Sequence, residues 1–262
     1  MTPVPADLLR LAREAATAAA SVLLAERPLV LAEGASGTKS SETDPVTRAD
    51  VAAQQVIADI IVKARPRDAI FAEEGLDRPG DSGWRWVVDP LDGTVNYIYG
   101  RDQWSVSIAL QDPDGAVAVG VVLAPALGRT YTAARGGGCW LDGQRLAVRP
   151  DTDLAHAVIG TGFSYDAATR ADQATVLARL LPSVADIRRC GSAALDLVDV
   201  ASGRIDAFYE NDLSPWDWAA GALLAAEAGA SVSELPGPDG RSGIFAATPA
   251  LAGPLSELLG RS

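Results

Sequence analysis

The chain has 262 residues, 48% of them apolar, with 22 Lys+Arg against 34 Asp+Glu and a formal net charge of −12. That length can bury a large core in one big domain or two ordinary lobes, and the acidic balance disfavours a nucleic-acid binder, which needs a basic face to neutralise phosphates. Two distant cysteines, Cys139 and Cys190, and a single histidine, His156, argue against a disulfide framework and against zinc hydrolysis, and favour a reducing cytoplasm.

The first element is a helix over residues 7–26, where Leu8, Leu11, Ala12, Ala15, Ala19, Val22 and Leu23 recur at helical spacing. Its charges Asp7, Arg10, Arg13 and Glu14, and the shortness of apolar runs elsewhere against the roughly 18 residues of a span, lead us to expect neither a signal peptide nor a membrane span. Residues 34–45 are small and polar and read as a mobile loop suited to a lid, followed by a helix from near Asp50 to Arg65 and Pro66. Strands are expected at 69–72, 84–88, 104–110, 117–123 and 129–134, with turns at Asp112 to Gly115 and Leu141 to Gly143, giving an antiparallel meander behind two helices. The second half alternates: strand 158–161, helix 167–181, strand 186–189, helix 193–202, strand 207–209, helix 216–228. That alternation predicts an α/β lobe. We therefore expect an α+β lobe over 1–150 and an α/β lobe over 151–262, packed as one rigid body, with no repeat or low-complexity tract.

The segment Trp86 to Thr94, WVVDPLDGT, carries the strongest chemical signal. A buried strand leads into Asp89-Pro-Leu-Asp92-Gly-Thr94, a tight turn that can bring two carboxylates onto a hard cation such as magnesium. The Gly93 and Thr94 amides can hold a phosphate oxygen. Ordinary Asp-Pro and Asp-Gly turn punctuation explains the same residues equally well. Two further acids bear on the choice. Glu73 and Glu74 follow a short apolar strand, and Asp217 opens a helix between Trp216 and Trp218. A carboxylate among aromatic neighbours is costly unless it is paired with a cation or hydrogen-bonded, although Asp217 also suits a helix N-terminus on dipole grounds alone.

Taken together, Glu73, DPLDGT and the Trp216-Asp217-x-Ala-Ala-Gly221 segment resemble the inositol monophosphatase family. Lys39-Ser-Ser, Asp44, Thr47, Asp50, Gly191-Ser-Ala193 and Glu210 extend that resemblance over nearly the whole chain, and Asp92-Gly-Thr-Val-Asn-Tyr97 looks like the inositol-phosphatase form of the motif. The resemblance implies a layered αβαβα sandwich. It also implies magnesium-dependent hydrolysis of a small phosphomonoester, inositol 1-phosphate first, by in-line water attack without a phosphoenzyme. By resemblance, Glu73, Asp89 and the Leu91 carbonyl bind a first magnesium, while Asp89, Asp92 and Asp217 bind a second; a weaker third shares Glu73. Thr94 and Asp50 orient or deprotonate the water, Gly93 and Thr94 cradle the phosphate, and Ala193 and Glu210 contact substrate hydroxyls. Lys39 marks the closing loop. Lithium sensitivity and a homodimer are also implied.

Histidinol phosphate, fructose 1,6-bisphosphate and nucleotide 3′-phosphates are substrates of relatives, and a regulatory interaction protein with vestigial activity is the rival from another class. The stretch Gly100-Arg-Asp-Gln-Trp104 lacks the proline common in the family. Three other patterns are decoys. Cys139 and Arg145 have thiolate-phosphatase spacing, but flank a hairpin turn rather than a loop opening a helix. The Asp89 and Asp92 spacing of three, with Pro90 between, does not fit an aspartyl-nucleophile phosphatase, and Gly136 to Gly138 lack a Walker lysine.

Overall fold

The computed structural model describes residues 6–35, 37–38, 45–150, 152–236 and 242–260. Its first half contains α1 (Ala6–Glu33), the short antiparallel pair β1 (Gly37–Thr38) and β2 (Pro45–Val46), and α2 (Arg48–Ala64). There follow β3 (Ala69–Ala72), β4 (Asp77–Arg78), β5 (Arg85–Asp92), α3 (Thr94–Ile98), β6 (Ser105–Gln111), β7 (Val117–Ala124), β8 (Arg129–Ala134), β9 (Cys139–Leu141) and β10 (Gln144–Leu146). The second half contains β11 (Val158–Thr161), α4 (Ala167–Leu180), β12 (Asp186–Arg188), α5 (Ala193–Ala201), β13 (Ala207–Leu213) and α6 (Pro215–Glu227). It ends with β14 (Ser231–Pro236), β15 (Ser242–Ala247) and α7 (Pro249–Leu258).

Strand alternation sorts these elements into five layers. In the eight-stranded sheet, ordered β10-β9-β8-β7-β6-β5-β3-β4, Trp86, Val88, Ile108, Leu110, Val119 and Val121 face α1 and α2. Their neighbours Val87, Ala109, Val122 and Ala124 face α5 and α6. In the five-stranded sheet, ordered β12-β11-β13-β15-β14, Phe208, Ile244 and Ala246 meet the other side of α5 and α6. Ile159, Ala207, Phe245 and Ala247 pack under α4 and α7. The result is the αβαβα sandwich, with α5 and α6 as a central layer buried by both sheets.

Three expectations need correction. The first sheet is not wholly a meander, because β3 runs parallel to β5. The expected turn at Asp89 belongs to β5, which pairs with β6 as far as Asp92↔Ser105. The first helix continues beyond residue 26 through Pro28 to Glu33, held there by the buried Val30 and by Arg27. The Arg27 guanidinium donates to the Arg101 carbonyl (2.6 Å) and lies over the rings of Tyr97 and Trp104. By length and composition α1 is apolar enough to cross a bilayer, but its Leu8, Leu11, Ala12, Ala15, Ala16, Ala19 and Leu23 join the core under the first sheet, so the expectation of no membrane span needs no change.

Candidate active site

A cleft of about 660 Å³ opens where the C-terminal end of β5 meets the starts of α5 and α6. Glu73, Asp89, Leu91, Asp92, Gly93, Thr94, Ala193, Glu210 and Asp217 all line it. Asp50 does not: it is fully buried behind Thr94. Lys39, with Ser40, Ser41 and Asp44, lies outside the described residues.

Local structure explains how the acids arrive. Between Asp89↔Ser107 and Asp92↔Ser105, three steps along β5 oppose two along β6, a bulge that accommodates Pro90, which has no N–H for the ladder. The Leu91 N–H donates to Asp89 Oδ1 (2.9 Å). Gly93 follows at φ 91°, and a Cβ there would sit 2.9 Å from the Gln103 carbonyl oxygen, so both its conformation and its packing demand glycine. Glu73 comes directly after β3, and Asp217 sits in the first turn of α6, where its Oδ2 accepts from the Ser214 N–H (2.6 Å). The helix-cap role expected for Asp217 therefore exists alongside its place in the cleft. Phe71 and Trp216 bring these two acids together, with ring centroids 4.8 Å apart.

Asp92 ties β5 to the start of α5. Its Oδ2 accepts from Ser192 Oγ (2.5 Å) and from the Ala194 N–H (2.9 Å), both at the start of α5. Burial nevertheless raises its pKa to about 6; the Ser192 and Ala194 hydrogen bonds oppose the rise, and the charge on Glu73 adds to it. Asp217 is raised well above the ordinary carboxylate range by burial and then by Glu73. Behind this row, Thr94 Oγ1 lies 3.1 Å from Asp50 Oδ1 and 3.0 Å from the Leu91 carbonyl, and its single proton can go to either. Asp50 is fixed in turn by the Thr47 N–H (3.0 Å) in a capping box at the start of α2.

The opposite wall contains residues that sequence reasoning missed: Gly162, Ser164, Tyr165, Arg189 and Asp212. Asp212 adopts φ 70°, unusual for a side-chain-bearing residue and often found at functional loops. Glu210 is raised to about 8 by burial, opposed by Arg189 and reinforced by Asp92 and Asp212. The position of Gly162 after β11, at the C-terminal edge of parallel strands, is the one available sequence signal for this wall.

The decoys resolve as expected. Cys139 lies in β9 with its thiol pushed up to about 12 by burial, and β9 pairs with β10 across Asp142 and Gly143, both at positive φ. The Gly136 and Gly138 N–H groups donate to Glu227 (2.7 and 2.8 Å), so this glycine turn binds an internal carboxylate. His156 Nδ1 is 2.7 Å from Asp153, away from the cleft. Both cysteines are free.

Four carboxylates and a backbone carbonyl form an all-oxygen donor set, the chemistry that suits magnesium rather than zinc or copper. They share one cleft, and burial, with the charge of Glu73 adding to it, raises Asp92 and Asp217, which favours a cation among them. Among the described residues no three acids yet form a closed metal cage, so the fit lies in donor chemistry and a shared cleft rather than in preset coordination distances.

Comparison with known proteins agrees. The sequence matches the inositol monophosphatase family over residues 5–258. An inositol-1-monophosphatase of Mycobacterium leprae is 42% identical, covering 98% of this chain and 94% of that protein. The Nus factor SuhB of Escherichia coli K12 is 43% identical over 76% of this chain and 75% of its own. The solved structure of Mycobacterium tuberculosis SuhB superposes with a TM-score of 0.85 at 38% identity, covering 99% of this chain and 98% of that one. The chain therefore belongs to the inositol monophosphatase family, a family of metal-dependent phosphoric monoester hydrolases.

Proposed function

We propose that this chain hydrolyses a small phosphomonoester, inositol 1-phosphate first among candidates, with two to three magnesium ions and direct in-line attack by water. The observation that carries this reading is the single cleft in which Glu73, Asp89, Asp92 and Asp217 face the Gly93 and Thr94 turn. Glu73, Asp89 and the Leu91 carbonyl would hold one ion, and Asp89, Asp92 and Asp217 another, with Asp89 bridging and Glu73 shared by a weaker third. Bound magnesium supplies Lewis-acid polarisation of the phosphoryl group and lowers the pKa of the attacking water.

The chain's own residues do the rest. The Gly93 and Thr94 N–H groups bind phosphoryl oxygens and fix the ester for attack. Thr94 Oγ1 orients the water and passes a proton towards Asp50, whose Oδ1 is already within hydrogen-bond reach. Glu210 and the Ala193 backbone bind hydroxyls of the leaving alcohol. The lobes 1–150 and 151–262 each supply part of the cleft. We further expect a cytoplasmic homodimer.

The test is a phosphate-release screen with and without magnesium over inositol 1-phosphate, histidinol phosphate, fructose 1,6-bisphosphate and nucleotide 3′-phosphates. Asp92→Asn should lower turnover by roughly a hundredfold or more, since even residues that only support metal ligands commonly cost about 10- to 100-fold. Equal phosphate release by wild type and this variant would remove the metal assignment. The name of the E. coli relative favours a second reading, a regulatory interaction protein; magnesium-independent inactivity on every ester, with capture of a transcription complex, would favour it instead.

A further inference from the structure

The cleft wall opposite the four acids carries two charged side chains, each seated on a glycine. Glu210, in β13, lays its carboxylate across Gly162, where any Cβ would overlap it. Arg189, just after β12, lays its guanidinium across Gly191, where a Cβ would sit 2.5 Å from Nη1. Gly191 has φ 90°, a conformation glycine adopts without cost, so the backbone itself forms the seat.

Arg189 is the only lysine or arginine among the described residues lining the cleft. Its guanidinium makes no hydrogen bond or ion pair with another described residue. It is nonetheless the charge that most opposes the burial of Glu210. A cation and an acid that feel each other without pairing leave room between them for a ligand with a donor and an acceptor side by side. Adjacent oxygens on a polyol meet that need: one hydroxyl donates to Glu210, and its neighbour accepts from the planar guanidinium fork. A leaving group without hydroxyls offers neither contact.

We propose that Arg189 is a specificity-determining residue that binds an oxygen of the leaving alcohol beside the hydroxyl taken by Glu210, so that the cleft selects phosphate esters of polyols with adjacent oxygens. The inference rests on the phosphomonoesterase reading above.

The experiment compares wild type, Arg189→Met and Arg189→Lys with magnesium on two esters, inositol 1-phosphate and p-nitrophenyl phosphate, and measures inhibition by inorganic phosphate. Arg189 is exposed on one side, so both variants should fold, and an unchanged Tm checks that they do. Loss of a charged hydrogen bond should raise KM for inositol 1-phosphate about tenfold or more in Arg189→Met. It should leave KM for p-nitrophenyl phosphate and the phosphate inhibition constant within about twofold. Arg189→Lys should recover part of the loss, keeping the charge but not the fork.

An unchanged KM for inositol 1-phosphate overturns the proposal. Equal weakening of both esters and of inorganic phosphate also overturns it, because Arg189 would then act on the phosphoryl group. Wild-type turnover of p-nitrophenyl phosphate with none of inositol 1-phosphate sinks this inference alone. Wild type inactive on both esters sinks the phosphatase reading and this inference with it.

Discussion

Ser192→Ala tests whether the start of α5 tunes the proposed metal end of the cleft. Ser192 Oγ donates to Asp92 Oδ2 at 2.5 Å, and the nearest other hydroxyl, Ser105, stands 3.5 Å away, too far to replace it well. With its pKa at about 6, Asp92 is roughly 90% ionised at pH 7 in the metal-free protein. A hydrogen bond to a charged group is worth about 1.5–3 kcal/mol, so its loss moves Asp92 up by roughly one to two pH units, to about 7–8. The ionised fraction at pH 7 then falls to about 10–50%. A proton competes with magnesium for this carboxylate, so the magnesium concentration for half-maximal activity should rise roughly two- to tenfold at pH 7 and return close to wild type at pH 9. Ser192 also caps α5 by accepting from the Leu195 N–H (3.3 Å), which adds a loss of about 1 kcal/mol and about 2–4 °C in Tm. Magnesium titrations of phosphate release at the two pH values read the effect. A variant requirement equal to wild type at pH 7, or raised equally at both pH values, would refute the reasoning.

Gly162→Ala should force the Glu210 carboxylate off its seat and raise KM for inositol 1-phosphate by about tenfold through lost hydrogen bonding, while hydrolysis of p-nitrophenyl phosphate changes little; equal loss on both esters would contradict the placement of Glu210 on the alcohol side. The buried acids also set a pH dependence of stability in the metal-free protein. Asp92 and Glu210 have folded pKa values raised to about 6 and about 8, above their unfolded values, so the folded state holds protons that the unfolded state releases. Their contribution is full below about pH 4 and is lost as pH rises, through about 6 for Asp92 and about 8 for Glu210. Thermal melts in EDTA should show Tm falling across that window for this reason. Glu210→Gln should flatten its upper part, and an unaltered slope in that variant would remove Glu210 from the account.

How much of this was legible in the sequence depends on what each position answers to. The strands β5 to β8 and the helices facing them follow from residue periodicity, because alternate positions must be apolar to meet layers on both sides. The end of the chain was not read. β15, Ser242–Ala247, is a short run of small and apolar residues, and α7, Pro249–Leu258, carries Gly253 and Pro254 inside it, so local propensity points away from the structure that burial imposes. Asp89-Pro-Leu-Asp92 reads as a turn for a related reason: aspartate and proline are depleted in strands, and only pairing with β6 across a bulge keeps them in one.

The two walls of the cleft differ in the same way. The proposed metal-binding role calls for acids at Glu73, Asp89, Asp92 and Asp217, and these positions become legible along the chain once they are taken together as one motif set. Gly162, Gly191 and Arg189 answer to what stands across a gap. Gly162 is glycine because Glu210, many residues later, rests on it, and Gly191 because Arg189 folds back over it beside Asn96. Asn96 closes the arrangement: its Nδ2 donates to Gln103 O (2.6 Å) on the first half and to Cys190 O (2.9 Å) on the second, clamping the two backbones that pack around Gly93. The seats of Glu210 and Arg189 are thus written in contacts between segments, whereas the acids are written in residue types. The acid cluster is therefore readable from sequence, as is Glu210 by resemblance, whereas Arg189 and the two glycines beneath these side chains become readable only once the sheets are in place.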